Sequence, residues 1–217
     1  MRTTGTIAII GATGSMGSAL TKSLSSSLYR LLLFGRDVCK LDALFRQVKN
    51  MHPAANVETI SCATEACWEA DIIIPAVPYQ AAEDVADKIR AVSTGKIVIS
   101  ISNPPRDNSW VSSTGTSVAE ELQKLMPHSK VIKAFNTSLA SIFANPVING
   151  QLADMLIAGN DEESLETVSQ VVRTAGFNPV IVGGLSVSKT LENMQRLLNN
   201  LSNRYNYAVA GWKVLHN

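Results

Sequence analysis

Three glycines carry the first chemistry in this sequence. In residues 6–17, TIAIIGATGSMG, a short apolar run (Ile7, Ala8, Ile9, Ile10) leads directly into Gly11, Gly14 and Gly17, spaced three apart. The SALTKSL that follows has apolar residues at helical intervals. A buried strand turning tightly into a helix aims backbone N–H groups at a point where a phosphate can sit. The glycines allow the turn, the close approach of backbone to a pyrophosphate and the packing of helix on strand. Ala12, Thr13, Ser15 and Met16 complete the loop; the two hydroxyls reach phosphate oxygens and Met16 packs inward. A turn that merely needs glycine is the bland alternative. The position of this one, behind a buried strand near the N-terminus, argues for a dinucleotide.

The end of the second apolar run, at residues 29–34, selects the dinucleotide. An acidic residue there would accept the ribose hydroxyls of NAD, whereas cations hold the 2′-phosphate of NADP. The chain offers Gly35 and Arg36, with Lys40 one helical turn further on. Arg36 presents a planar fork to a phosphate. Lys40 reads either as a second charge on the same side or as a solvated helix lysine. Asp37 sits late and suits a helix N-cap. NADP(H) is the expected cofactor.

In an open α/β sheet the ligand crevice lies outside the carboxyl ends of the strands. Three further strand ends would therefore face the cofactor: Ala76-Val77-Pro78, Ser102-Asn103-Pro104 and Asn136-Thr137. Ala76, Val77 and Pro78 offer backbone and apolar surface to the ribose and nicotinamide. Asn103 brings a polar group to the cofactor, and Asn136 one to the substrate; each reads equally as a turn or cap residue. Trp110, in the polar stretch 105–117, is either a lid over a flat ring or an anchor for its own loop. No Ser–His–Asp set and no general acid is visible, so no catalytic residue is assigned. His52, His128 and His216 are scattered, and Cys39, Cys62 and Cys67 form no C-x-x-C pair, so no metal site is expected. No tyrosine is followed four residues later by lysine, which counts against a short-chain dehydrogenase.

Composition narrows the partners. Across 217 residues, 19 basic and 18 acidic side chains nearly cancel, so no basic field invites nucleic acid or an anionic membrane. The N-terminal apolar run, about five residues, is far too short for a signal h-region or a membrane span. An odd number of unpaired cysteines suits a reducing, cytoplasmic setting. The expected partner is a small-molecule hydride acceptor.

These residues need a scaffold to bring them together. Apolar runs at 29–34, 56–61, 71–77, 96–101, 130–135, 154–158 and 180–182 read as further strands. Between them, 39–49, 64–70, 81–92, 118–126, 138–144 and 162–175 read as helices. The alternation predicts an α/β, Rossmann-type doubly wound, mostly parallel sheet with a short C-terminal helical extension. The dinucleotide-binding domain is expected over 1–185 and the extension over 186–217. One helical pattern runs from 186 to about 213, with Val187, Leu191, Met194, Leu198, Leu201, Tyr205, Ala208 and Trp212 alternating spacings of four and three. That seam packs either on the chain's own sheet or on a second copy. A homodimer in which it also closes the nicotinamide end is the favoured expectation.

With these features in place the chain resembles the NADPH-dependent deazaflavin coenzyme reductases and related NADP-binding oxidoreductases. The resemblance rests on GATGSMG at 11–17, FGRD at 34–37, the AVP after the fourth strand, VIKAFNT at 131–137 and GGLSVSKTLE at 183–192. It implies hydride exchange between NADPH and a flat, flavin-like ring bound above the nicotinamide. It also implies that Thr13, Arg36 and Lys40 hold the 2′-phosphate, with Gly35 standing where the family has serine. Where the best-known deazaflavin reductases have histidine after the sixth strand, this chain has Asn136. The rival readings are NADPH-dependent reduction of a small imine, ketone or chelated metal ion, and a non-catalytic NADP(H)-sensing protein.

Overall fold

The structure, a computed structural model, describes residues 4–105 and 115–215. The chain alternates strands and helices: β1 (Thr6–Ile10), α1 (Ser15–Leu24), β2 (Arg30–Phe34), α2 (Val38–Met51), β3 (Val57–Thr59), α3 (Ala63–Glu69) and β4 (Ile72–Pro75). It continues through α4 (Ala82–Ile89), β5 (Ile97–Ser100), α5 (Val118–Leu125) and β6 (Lys130–Lys133). A 3-10 turn (Ala140–Ala144) and a small hairpin, β7 (Val147–Ile148) with β8 (Gln151–Leu152), lead to β9 (Asp154–Gly159). Then come α6 (Glu162–Thr174), β10 (Asn178–Gly183) and α7 (Ser188–Tyr205).

The main sheet runs β10-β9-β6-β5-β4-β1-β2-β3. Strands β1 to β6 are all parallel, whereas β9 lies antiparallel to β6 and carries β10 parallel to itself. The doubly wound, mostly parallel sheet read from the sequence is the fold observed. Parallel central strands are covered on both faces, which is why they read as unbroken apolar runs. On one face, Ile7, Ile9, Leu31 and Leu33 pack with Leu20 and Leu24 of α1, Leu41 and Leu44 of α2, and Val168 and Val172 of α6. On the other, Ala8, Ile10, Leu32 and Ile73 meet Ala66 of α3, Ile89 of α4 and Leu122 of α5. Helix α7 lies over β9, where Leu191 packs on Leu156 and Ala158.

Three local expectations need correction. Residues 138–144 form a 3-10 turn over Ala140–Ala144, not an α-helix. The β7–β8 hairpin was not expected, although Asn149 (φ 50°) and Gly150 (φ 78°) supply the two left-handed residues of a type I′ turn. The terminal helix stops at Tyr205, well short of 213, because Asn206 adopts the left-handed conformation (φ 54°, ψ 42°) and the Tyr207 N–H donates to Ser202 O at 2.9 Å. That is a helix C-terminus closed by an αL residue, and it takes Ala208 and Trp212 off the helical seam.

The chain then returns to the sheet. The Asp154 N–H donates to Trp212 O at 2.9 Å, and the Asp154 carboxylate accepts from Lys213 Nζ (2.7 Å), Asn178 Nδ2 (2.7 Å) and the Val214 N–H (2.6 Å). Burial alone would raise the Asp154 carboxyl, but Lys213, Val214 and Asn178 together hold it below the ordinary carboxylate value.

Candidate functional site

The strand order reverses between β4 and β1, and the crevice opens there, above the carboxyl ends of the strands. It encloses about 530 Å³. Its first wall is the glycine loop. Gly11 has φ +91°, and a Cβ on it would stand 2.5 Å from Ala76 O, so loop and β4 end touch backbone to backbone. A Cβ on Gly17 would collide with the Gly11 carbonyl oxygen. Gly14 differs: a Cβ there would meet Gly11 O at 3.4 Å and Ala76 O at 3.7 Å, ordinary contacts, so packing does not require a glycine at this position. No side chain caps α1 at Gly14, which leaves its first-turn N–H groups without a side-chain acceptor, an arrangement suited to an anion. Ser15 is exposed at this end, Thr13 and Met16 are half-buried, and Ala12 is buried in the core.

Beside the loop, β2 delivers Gly35, Arg36 and Asp37. Gly35 is buried, and a Cβ on it would lie 3.0 Å from Thr13 Cγ2 and 3.2 Å from Thr13 Oγ1. The threonine side chain therefore occupies the space a serine at 35 would need. Arg36 is exposed and holds no ion pair among the described residues. Asp37 caps α2, accepting from the Lys40 N–H at 3.0 Å, and pairs with Lys40 Nζ at 3.4 Å. The Lys40 backbone N–H first, and its ammonium second, keep the Asp37 carboxyl below its ordinary value. With the acidic residue spent as a cap, Arg36 is the uncommitted charge at the place where a 2′-phosphate would lie.

The floor comes from the ends of β4, β5 and β6. Ala76, Val77 and Pro78 line it, and Ser102 Oγ ties the β5 end to Val77 O at 3.2 Å. Asn103 and Asn136 clasp each other: Asn103 Nδ2 donates to Asn136 O at 3.1 Å and Asn136 Nδ2 to Asn103 Oδ1 at 2.9 Å. Phe135, immediately before Asn136, is fully buried with φ 60°, a conformation that costs a bulky residue on the order of 1–3 kcal/mol. Its ring is held by Phe143, centroid to centroid 5.9 Å. The kink swings Asn136 into the crevice while the aromatic stays in the core.

The far wall was not anticipated. Gln195, Arg196 and Asn199 of α7 line the crevice opposite Ser138 and Leu139. Asn136 Oδ1, Ser138 Oγ and Gln195 Oε1 are buried without a hydrogen-bond partner among the described residues, as is Thr137 Oγ1 nearby. Each such orphan costs about 1–3 kcal/mol unless a ligand meets it. Polar residues at 195 and 199, one helical turn apart beside the apolar seam, were the available signal. Among the described residues that line the crevice there is no Asp, Glu, His or Lys. Tyr79 is its one phenol, and that hydroxyl donates to Glu121 Oε2 at 3.0 Å. Nowhere among the described residues do three or more His, Cys, Asp or Glu gather as a metal site, and no helix is long and apolar enough to cross a membrane. Trp110 lies outside the described residues.

Comparison with known proteins agrees with this geometry. Residues 6–104 match the family described as NADP oxidoreductase, coenzyme F420-dependent. The F420-dependent NADP reductase of Methanocaldococcus jannaschii is 26% identical over 221 residues, covering 96% of this chain and 97% of that protein. The metalloreductase STEAP3 of Rattus norvegicus is 27% identical over 190 residues, 86% of this chain but 35% of that one. A crystal structure of a candidate F420-dependent NADP reductase from Arthrobacter sp. FB24 superposes with a TM-score of 0.83, covering 98% of this chain and all of that one at 20% identity, and so shares the fold. Along nearly its whole length, then, the chain is similar to an F420-dependent NADP reductase.

Proposed function

We propose that this relative of the coenzyme F420-dependent NADP oxidoreductases passes a hydride between NADP(H) and a deazaflavin acceptor, coenzyme F420. One observation carries the reading: a single crevice has an uncapped helix N-terminus at one end and orphaned neutral polar groups at the other, with no Asp, Glu, His or Lys on its described lining, and the exposed Arg36 follows Gly35, which abuts Thr13 of the glycine loop. In this reading the loop from Gly11 to Gly17 holds the pyrophosphate, and Thr13, Arg36 and Lys40 hold the 2′-phosphate. Ala76, Val77, Pro78 and Asn103 line the nicotinamide, and Asn136 faces the acceptor. NADPH, when bound, supplies the hydride. The protein's own work is to bind, to align the two rings and to keep water out. Ring-to-ring transfer needs no proton donor in the protein, which suits this lining better than reduction of an imine or ketone.

A specific likeness favours one second reading. The match to a metalloreductase supports reduction of a chelated metal ion by the same cofactor, with the chain spanning about a third of that relative's length. Adding NADPH to oxidised F420 in the presence of the protein decides: loss of the deazaflavin absorbance is expected. Oxidation of NADPH by a ferric chelate with the deazaflavin left intact would select the second reading, and no NADPH consumption with any acceptor would leave a sensor.

The region from 186 onward is proposed to close the crevice and to form a homodimer interface. The exposed side chains Leu197, Tyr205, Tyr207 and Val209 support this, the two tyrosines stacked at 5.5 Å. A monomer in sedimentation would remove the dimer. The unpaired thiols of Cys39, Cys62 and Cys67 support a cytoplasmic setting.

A further inference from the structure

Lys133 and Glu192 form the one ion pair among the described residues with both side chains out of solvent, 0% and 2% exposed. Lys133 Nζ donates to Glu192 Oε1 at 2.8 Å and to Ser102 O at 2.5 Å. The other carboxylate oxygen, Glu192 Oε2, accepts the Val118 N–H at 3.2 Å, at the first turn of α5. Four elements therefore converge on two charges: β6, the β5 end, α5 and α7.

Such a pair is poorly explained as a source of stability. Removing two charges from water costs about as much as their attraction returns, and a packed apolar pair would hold the same helices together equally well. What charges add is direction. The tether to Ser102 O fixes the residue whose hydroxyl binds Val77 O and whose neighbour, Asn103, clasps Asn136. On α7, Gln195, Arg196 and Asn199 follow Glu192 by three, four and seven residues and so lie on the same side of the helix. One anchor thus sets the crevice floor and its far wall relative to each other. The glycine loop and Arg36, built on β1, α1 and β2, make no hydrogen bond to either member of the pair.

We propose that Lys133 and Glu192 are positioning residues for the acceptor end of the crevice: they fix the spacing between the α7 wall and the Ser102–Asn103 floor, and so set how the acceptor is held without touching the phosphate-binding end. The inference rests on the hydride-transfer reading above. It also explains why a lysine interrupts the apolar β6 run and why a glutamate is buried on α7 beside the apolar seam.

The test compares wild type with Glu192→Gln and with the double variant Lys133→Met/Glu192→Leu, in which no charge is left buried. Three readouts are taken: NADPH affinity by calorimetry, kcat and KM for oxidised F420, and amide hydrogen exchange of the NADPH-bound proteins. In the double variant, kcat/KM for the acceptor is expected to fall on the order of 10-fold to 100-fold, chiefly through KM, while NADPH affinity stays near wild type. Exchange should quicken in peptides covering 100–105 and 193–200 but not in 11–18. Glu192→Gln leaves a buried ammonium unpaired and should lower Tm as well; if it does not fold, the double variant decides alone. A folded double variant with wild-type acceptor KM and wild-type exchange at 100–105 and 193–200 would overturn the proposal and leave the pair a packing element. Should wild type reduce no deazaflavin, the functional reading fails, and the exchange comparison still judges the pair.

Discussion

Gly14 and its two neighbours in the motif look alike in sequence and are separated by what surrounds them. Gly11 and Gly17 are bare because the fold leaves no room; Gly14 has room that the protein does not use. Gly14→Val should therefore fold with a Tm close to wild type and lose NADPH affinity about tenfold or more, roughly 1.4 kcal/mol, whereas Gly17→Val should be hard to fold at all. Unchanged NADPH binding by calorimetry in Gly14→Val would show that no pyrophosphate passes there. Arg36 offers the companion measurement. A hydrogen bond to a charged group contributes about 1.5–3 kcal/mol, so Arg36→Ala should weaken NADPH by that much and leave NADH nearly unmoved. Equal losses for both cofactors would refute the 2′-phosphate role. At position 35 the contacts with Thr13 give a third expectation: Gly35→Ser crowds that side chain and gains no NADPH affinity, even though it places a hydroxyl in the pocket.

Among the elements, α7 shows how far sequence reading reaches. Its amphipathic pattern was plain, and Leu191 and Leu198 are buried as such a pattern requires. The end was not plain, because Asn at 206 is an acceptable helix residue until its neighbours place it in αL. Glycine tolerates that conformation freely, whereas a β-branched residue pays roughly 1–2 kcal/mol. Asn206→Gly should keep or raise Tm and Asn206→Val should lower it; the reverse order in thermal melts would show that the cap is unimportant. The direction of β9 was hidden for a different reason. An apolar run says that a strand is covered on both faces, but its sense is decided by the connection before it, here the 3-10 turn and the Asn149–Gly150 hairpin. That hairpin did have a signal, the Asn-Gly pair between short apolar runs.

At the scale of the whole molecule, the half of the crevice made by local sequence was legible and the half made by distant contacts was not. The glycine loop, Arg36 and the strand ends follow from motifs a few residues long. The wall of Gln195, Arg196 and Asn199 exists only because α7 folds back over the sheet, and no short window of sequence reports that. The same return path governs acid sensitivity. With its folded carboxyl held below the ordinary value of 3.8, Asp154 contributes stability that is fully present above that value and drains as pH falls through the lower, folded one. Tm should stay level from neutral pH down to about 5 and drop below about 4, with Asp154→Asn flattening the acid limb. An unchanged acid limb in that variant would mean that other carboxylates govern it.

The order in which the crevice is assembled has a bearing on how the protein comes into being. Everything that would grip the nucleotide's phosphates lies in the first forty residues, the sheet that backs it is complete through β6 by Lys133, and α7 begins only at Ser188. Domains generally fold as units, and synthesis delivers the N-terminal residues first. The residues of the proposed cofactor cradle are therefore made long before those of the far wall, and any partial structure able to bind NADPH would be stabilised by mass action. The cofactor would then serve this protein twice, once as a template during synthesis and afterwards as a reactant.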